Sequence, residues 1–397
     1  MKFNIWSFEK RPLPEILSFV VDNRGKTVPT TENGHILIAT NCIKNENLYP
    51  SYEKIRYLSE ETYQNWFRAH PKPGDILFVC KGTPGRVCMV PDPIDFCIAQ
   101  DMVALRANEA IVYNKYLLAV LRSARIQKQI EQTSVGDVIP HFKKSFFNRL
   151  LIPIPPMQIQ RIIGDYYFAF SEKVEMNKKI NDNLEQQAQA IFRQELLLNG
   201  ELPPNWTTGS LLDIANYLNG LAMQKFRPVD GESGLPVLKI KELRQGFCDY
   251  SSELCSPNIK PEFIVHDGDV IFSWSGSLLV DLWCGGACGL NQHLFKVTSD
   301  KYPKWFYYAW TAHHLARFVA IAADKATTMG HIKREDLAKA EVIIPNTASM
   351  ERIGGVLEPI YDLIINQRIE NRKLSMLRDS LLPKLMSGEL DVSAIQL

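Results

Sequence analysis

His141-Phe-Lys-Lys144 leads within a dozen residues to Ile152-Pro-Ile-Pro155, and 190 residues later His331-Ile-Lys-Arg334 leads to Val342-Ile-Ile-Pro345 (141 to 331, and again 155 to 345). A repeat of this period fixes the architecture before any single motif is read. Upstream, Pro73-Gly-Asp-Ile-Leu-Phe78 recurs as Asp267-Gly-Asp-Val-Ile-Phe272. Downstream, Ile159-Gln-Arg-Ile-Ile163 recurs as Met350-Glu-Arg-Ile-Gly354, and Asn177-Lys-Lys-Ile180 as Asn366-Gln-Arg-Ile369. Each half therefore runs in one order: a mixed globular region, a proline-flanked exit, then a long helix.

Within the globular regions, residues 76–80 and 270–274 are short apolar runs launched by a Gly-Asp turn, which suits buried strands. The Gly-Asp pairs themselves read as turn formers rather than functional acids. Residues 113–131 and 304–323 place apolar side chains at helical spacing. The exits differ. Residues 158–198 contain no proline and one glycine, with apolar side chains at Ile159, Ile163, Tyr166, Phe170, Val174, Leu184, Ala188, Ile191 and Leu196. The second copy repeats this with Ile353, Leu357, Ile360, Ile364, Leu374, Leu381 and Leu385. About 40 residues of one helix give a rod of roughly 60 Å, and a rod with one apolar stripe needs a partner, for which the other copy is the obvious choice. Pro359 and Pro383 are expected to kink or interrupt the second rod.

The chain has 397 residues, of which 46% are hydrophobic, enough for two large domains. No run of about 18 apolar residues and no leader-like start is present, so a soluble cytoplasmic protein is expected. The 8 cysteines lack paired zinc-ligand spacing, Cys284 and Cys288 being the closest pair, and are expected to be buried thiols in a reducing compartment. Net charge is +1. It is unevenly spread: residues 1–155 carry 20 Lys and Arg against 15 Asp and Glu, residues 201–348 carry 14 against 16. A nucleic-acid binder of such weak basicity would need partners for part of its phosphate grip.

Several chemistries are missing. The strings closest to a DNA methyltransferase motif, Leu202-Pro-Pro-Asn-Trp206 and Ile154-Pro-Pro-Met157, lack the acid or amide before the prolines. Gly25-Lys26-Thr27 is a fragment of a nucleotide-binding loop, because Val20 stands where its first glycine must be. His141 and His331 read as structural or phosphate-contacting rather than as general bases.

Taken together, the order of these elements resembles the specificity subunits of type I restriction-modification systems. Trp6 and Leu202-Pro-Pro-Asn-Trp206 resemble the opening of each recognition domain, and Asp22-Asn-Arg-Gly-Lys-Thr27 a first-loop segment. Tyr57-Leu-Ser-Glu-Glu-Thr-Tyr63, Pro73-Gly-Asp-Ile-Leu77 and Ile98-Ala-Gln-Asp101 are similar to the family's central block. Ile139-Pro-His-Phe142 and Ile152-Pro-Ile-Pro-Pro156 look like the exit into the first spacer helix, and Leu381-Leu-Pro-Lys-Leu-Met-Ser-Gly-Glu-Leu390 like the close of the second. The second half departs from the pattern at Thr347-Ala-Ser-Met350 and in its glycine-rich Cys284-Gly-Gly-Ala-Cys-Gly289.

The resemblance implies an α+β fold of two tandem target-recognition domains, residues 1–155 and 201–348, separated by two long antiparallel coiled-coil spacer helices, residues 156–200 and 349–397. It implies a non-catalytic chain that holds no metal or cofactor and binds double-stranded DNA with a bipartite site, one half per domain. It also implies partners: two modification (methyltransferase) subunits carrying S-adenosylmethionine, and restriction (motor-nuclease) subunits using ATP and Mg²⁺. A free-standing duplicated DNA-binding or regulatory protein, and a coiled-coil scaffold that binds no DNA, are the alternatives. Base reading needs polar side chains on loops. The candidates in the first half are Arg24, Lys26 and Thr27, with Lys81, Thr83 and Arg86. In the second they are Gln224, Lys225 and Arg227, with Ser273, Trp274, Ser275 and Ser277, and Lys325, Thr327 and Thr328. Lys143, Lys144, Lys333 and Arg334 flank the repeated histidines and suit phosphate or a partner.

Overall fold

In a computed structural model, the structure describes residues 4–390 apart from 24, 137, 198–199 and 325–329. It divides into two compact units, Met1–Met176 with Lys373–Leu397, and Asn177–Arg372.

The first unit is organised by the Gly-Asp turn. Gly74 has φ +83°, a left-handed conformation that glycine adopts without strain. The turn launches the buried strand Ile76–Val79. This strand pairs antiparallel with Val87–Met89 on one side and Met102–Ala107 on the other, and Leu17–Val21 completes a four-stranded sheet. A three-stranded sheet sets His35–Ile38 parallel to Phe96–Ile98 and antiparallel to Arg56–Leu58. Asp75 is only 2% exposed. One of its oxygens accepts from Lys72 N at 2.8 Å, and the pair of them takes Arg106 Nε and Nη2 at 2.9 and 2.8 Å. This acid ties the turn to the neighbouring strand, and removing Arg106 would leave a buried carboxylate unpaired at a cost of about 3–5 kcal/mol.

The second unit repeats the plan. Gly268 has φ +85°, and the strand Val270–Ser273 lies between Leu279–Leu282 and Leu294–Thr298, with Asn216–Asn219 outermost. Leu235–Leu238 runs parallel to Cys288–Leu290, as its counterpart does in the first unit. Asp269 accepts from His266 N at 2.8 Å and pairs with Lys296 at 2.7 Å. The Gly-Asp acids are structural in both halves, as their turn chemistry suggested.

Two helical expectations need correction. Residues 113–131 form two helices, Asn114–Arg122 and Ala124–Thr133, broken where Ser123 is extended (φ −63°, ψ 142°) and donates its hydroxyl to Val120 O. Residues 304–323 likewise form Lys304–His313 and Leu315–Asp324, with His314 between them donating from Nε2 to Glu341 O at 2.8 Å. At Ser123 the side-chain bond replaces the intrahelical continuation that periodicity alone suggests. At His314 the backbone stays helical, its N–H still bonding Trp310 O at 3.2 Å, and the interruption is a single residue.

The long helices run Met157–Leu196 and Thr347–Ser387, 40 and 41 residues. Pro359 and Pro383 do not interrupt the second one. Both prolines are exposed, as are Gly355 and Asp379 one turn earlier, so water can take the carbonyls that lose their N–H partners. In the first unit Arg378 lies over Tyr167 and donates to Ser171 Oγ, while Leu382, Leu385 and Met386 enter the core beside Ile163. In the second unit Asn177 meets Asn371, Glu185 meets Arg368 and Glu195 meets Arg352. Rising numbers on one helix meet falling numbers on the other, so each unit contains an antiparallel stretch of the pair.

Candidate nucleic-acid interface

The first-half candidates gather where the central strand ends. Gly82 and Gly85, at φ +87° and +88°, shape the Lys81–Arg86 hairpin loop and leave Lys81, Thr83 and Arg86 exposed. Lys81 bridges to His141, and Gly82 N donates to Pro140 O at 3.0 Å, so the hairpin meets the exit loop. Gln100 donates from Nε2 to Thr27 Oγ1 at 3.1 Å, which brings in the 22–27 segment, and Lys144 pairs with Asp22 at 3.6 Å. Lys26 and Lys143 are exposed beside it. Arg24 lies outside the described residues.

The second half builds the same meeting of loops from different residues. Ser275 bridges to His331, and Gly276 N donates to Gly330 O at 3.2 Å. Trp274 is half-buried, stacks on Phe295 with centroids 5.7 Å apart and donates from Nε1 to Asn219 Oδ1 at 3.0 Å. Ser275 is buried, contrary to expectation: it is 7% exposed, with its Oγ 3.1 Å from His293 Nδ1, so it supports the exposed histidine and does not itself face outward. Ser277 is exposed at the loop tip. Ser273 requires a correction: it is 0% exposed and its hydroxyl donates to Ser275 O and Ser277 O, so it closes the loop instead of facing outward. Lys333 and Arg334 are exposed at the start of a short helix, where Asp336 Oδ2 accepts from Lys333 N at 2.9 Å. Gln224, Lys225 and Arg227 are exposed on a segment that leaves the junction at Leu221, whose O accepts from Gln292 N at 2.9 Å. The segment is fastened farther out through Arg227 to Glu253 at 3.0 Å and Ser256 N to Phe226 O at 2.8 Å. Lys325, Thr327 and Thr328 lie outside the described residues.

Residues 100–101 and 292–293 stand at these junctions and were not nominated from sequence. The signal was present, since Ile98-Ala-Gln-Asp101 and Leu290-Asn-Gln-His293 share a glutamine at the end of equivalent strands. Unequal loop lengths shift the spacing of this block to 192 residues (101 to 293) and hide it from a search at 190.

The glycine-rich stretch of the second half also finds its reason. Gly286 (φ +90°) donates its N–H to Asp267 Oδ1 at 2.8 Å, and Asp267 holds Arg372 of the second long helix through two bonds of 2.7 Å. A Cβ at Gly286 would stand 3.2 Å from that guanidinium, and one at Gly285 would meet the Trp283 ring at 2.2 Å. Burial raises the pKa of Asp267, but Arg372 and the Gly286 N–H outweigh it and the net shift is downward. One turn earlier, Arg368 binds Asp281 at 2.6 Å and Glu185 at 2.7 Å.

The eight cysteines, all among the described residues, form no disulfide, and seven are buried. Among the described residues no group of three His, Cys, Asp or Glu side chains is placed to hold a metal, and no helix is long and apolar enough to cross a membrane.

The family model for the type I restriction modification DNA specificity domain matches this chain twice, over residues 7–186 and 203–373. The chain belongs to that family. Its two matches reproduce the duplication seen in the fold. Among characterised specificity subunits, the MjaIX subunit of Methanocaldococcus jannaschii is 24% identical over 83% of this chain and 80% of its own length. The EcoKI subunit of Escherichia coli is 23% identical over 71% of this chain and 67% of its own. A crystal structure of a type I restriction-modification S subunit from M. genitalium shares the fold, with a TM-score of 0.58 at 14% identity over 96% of each chain. This specificity-subunit fold, with two recognition domains and two long helices, is what the repeat implied.

Proposed function

We propose that this chain reads a bipartite site in double-stranded DNA, one half-site per recognition domain, and directs adenine methylation and cleavage by partner subunits while doing no chemistry itself. The observation that carries this reading is the loop junction at the end of each central strand, built on one backbone plan and furnished with two different sets of polar side chains. Two readers of one architecture and unlike contents suit two unlike half-sites. The weak basic bias fits a chain that shares its phosphate grip with others. The partners are two modification subunits and the restriction subunits, acting in the cytoplasm. S-adenosylmethionine, ATP and Mg²⁺ belong to those partners, and the target adenine is flipped into the modification subunit.

The test has two arms. With S-adenosylmethionine, ATP and Mg²⁺, the purified chain alone neither methylates nor cuts DNA, whereas its complex with the modification subunits methylates adenines in one two-part sequence. Turnover that co-purifies with this polypeptide overturns the non-catalytic assignment. A complex that shifts no DNA in a gel would make the chain a scaffold instead.

A further inference from the structure

The two recognition domains share a three-loop junction whose backbone bonds coincide and whose side chains diverge. In the first, Cys80 N and Lys81 N both donate to Asp101 O, at 2.8 and 3.2 Å, and Phe142 N donates to Cys80 O at 2.7 Å. In the second, Trp274 N donates to His293 O at 3.4 Å and Ile332 N to Trp274 O at 2.9 Å. The bridges Lys81 to His141 and Ser275 to His331 occupy the same place. The frame therefore sets Lys81 against Ser275 and Asp101 against His293, and keeps a glutamine (Gln100, Gln292) and a histidine (His141, His331) in both.

Backbone groups alone satisfy this frame, so it imposes no side chain at the divergent positions. Asp101 is half-buried beside the exposed Lys81, and among the described residues neither side chain has a hydrogen-bond or ion-pair partner. A half-buried carboxylate and an ammonium carried on hydrogen-bonded backbone segments, neither with a partner among the described residues, are an acceptor and a donor held ready for an outside ligand. A G·C pair presents the complement in the major groove: guanine O6 and N7 accept, and cytosine N4–H donates. The second junction offers instead the exposed His293 imidazole, held from behind by the buried Ser275 hydroxyl at 3.1 Å, and the partly exposed ring of Trp274. An imidazole that can donate or accept, beside an apolar ring, matches an A·T pair with its thymine methyl.

We propose that this junction is the base-reading seat of each domain, with Lys81 and Asp101 determining specificity for a G·C pair in the first half-site and His293, positioned by Ser275, with Trp274 for an A·T pair in the second. The proposal rests on the DNA-reading function stated above. The glutamine and histidine, alike in the two halves, cannot tell two half-sites apart; side chains that read different sequences must differ where the frame is the same.

The experiment assembles the full chain with its modification subunits and maps methylated adenines across a genome, for wild type and for Asp101→Asn, Lys81→Met and His293→Leu. Thermal unfolding of each complex checks folding, and Lys81→Met, at an exposed position, covers the case that Asp101→Asn destabilises the loop. Asp101→Asn and Lys81→Met are expected to relax one G·C position of the first half-site by roughly ten- to a hundredfold and to leave the second half-site intact. His293→Leu is expected to do the converse at an A·T position. Folded variants that keep the full consensus overturn the proposal, and so does a uniform weakening on all DNA with a shallower salt dependence, which marks a phosphate grip. Should the wild-type complex methylate no bipartite site at all, the DNA-reading function itself falls, an outcome distinct from unchanged specificity in the variants.

Discussion

The two recognition domains answer the same structural problem with different residues, and the differences sort into two kinds. Where the frame is held, the solutions are chemically alike: Asp75 with Arg106 in the first domain and Asp269 with Lys296 in the second each fasten the Gly-Asp turn to a neighbouring strand. Where the loops meet at the strand ends, the contents are unlike, Lys81 and Asp101 against Ser275 and His293. Each domain also grips the long helices in its own way. In the second unit, Arg368 and Arg372 hold Asp281 and Asp267. The repeat equivalents of those arginines are Lys179 and Asn183, both exposed. In the first unit, Glu175 accepts from Leu48 N at 3.1 Å and Arg122 donates to the Tyr167 hydroxyl at 3.2 Å. Duplication thus conserves what the strands need and releases the loops and helix attachments to diverge.

The sharpest way to break the comparison is to exchange a whole reader. Replacing residues 1–150 with the first domain of another family member should change one half-site completely and leave the other as it was, read by mapping methylated adenines. A change in both half-sites would mean that the two domains do not read independently.

The helices give the next largest effect. Inserting four residues lengthens a helix by about 6 Å and turns its end by about 40°. One added base pair lengthens DNA by about 3.4 Å and turns it by about 34–36°. Insertions between Met176 and Asn177 and between Arg372 and Lys373 leave the Asn177–Asn371 and Arg372–Asp267 bonds in place. Made together, so that the two stripes stay in register, they are expected to lengthen the unspecified spacer by about one base pair with both half-sites unchanged. An unaltered spacer in a folded, active complex removes the helices as the ruler.

Stability separates the two Gly-Asp acids. The Asp75 side chain is 3% exposed and that of Asp269 24%. Asp75→Ala is therefore expected to cost about 3–5 kcal/mol, as for a broken buried pair. Asp269→Ala should cost about 1–3 kcal/mol, because the carboxylate removed is already partly solvated and Lys296 keeps its bond to Ile264 O at 3.0 Å. Denaturant unfolding of the two variants reads the difference, and equal losses would show that burial does not set it.

The smallest effect concerns Arg372. Its removal is expected to cost about 1–3 kcal/mol near neutral pH. In the folded wild type the Asp267 carboxyl titrates below its ordinary value, so its contribution is fully present above the usual carboxylate range and fades as the pH falls through the lowered value. Without Arg372, burial acts with less opposition and the pKa of Asp267 moves up. The acid-induced fall in melting temperature should then be shallower in Arg372→Ala than in the wild type, and the two profiles should converge as the pH drops through the carboxylate range. Parallel pH profiles would show that Arg372 does not hold this carboxyl down.

The sequence by itself determined the duplication, the Gly-Asp strand starts and the two long helices, because each rests on local chemistry: a turn residue, an apolar run, a stripe of period 3.6. It also led to the family, through the order of weak motifs repeated twice. It misplaced what depends on neighbours distant in the chain. Ser273 read as an outward polar residue, yet its hydroxyl is spent on Ser275 O and Ser277 O inside the loop. Pro359 and Pro383 read as breaks, and only their place on the exposed side of the second helix lets it continue. The glycines from 285 to 289 read as a departure until Asp267, Arg372 and Trp283 showed what crowds them. Asp101 and His293 were invisible as counterparts because insertions shift their spacing, while backbone hydrogen bonds ignore spacing and bring both to the same seat. Local periodicity survives in a one-dimensional string, whereas the partners that decide a side chain's role are chosen by which strand ends the fold brings together.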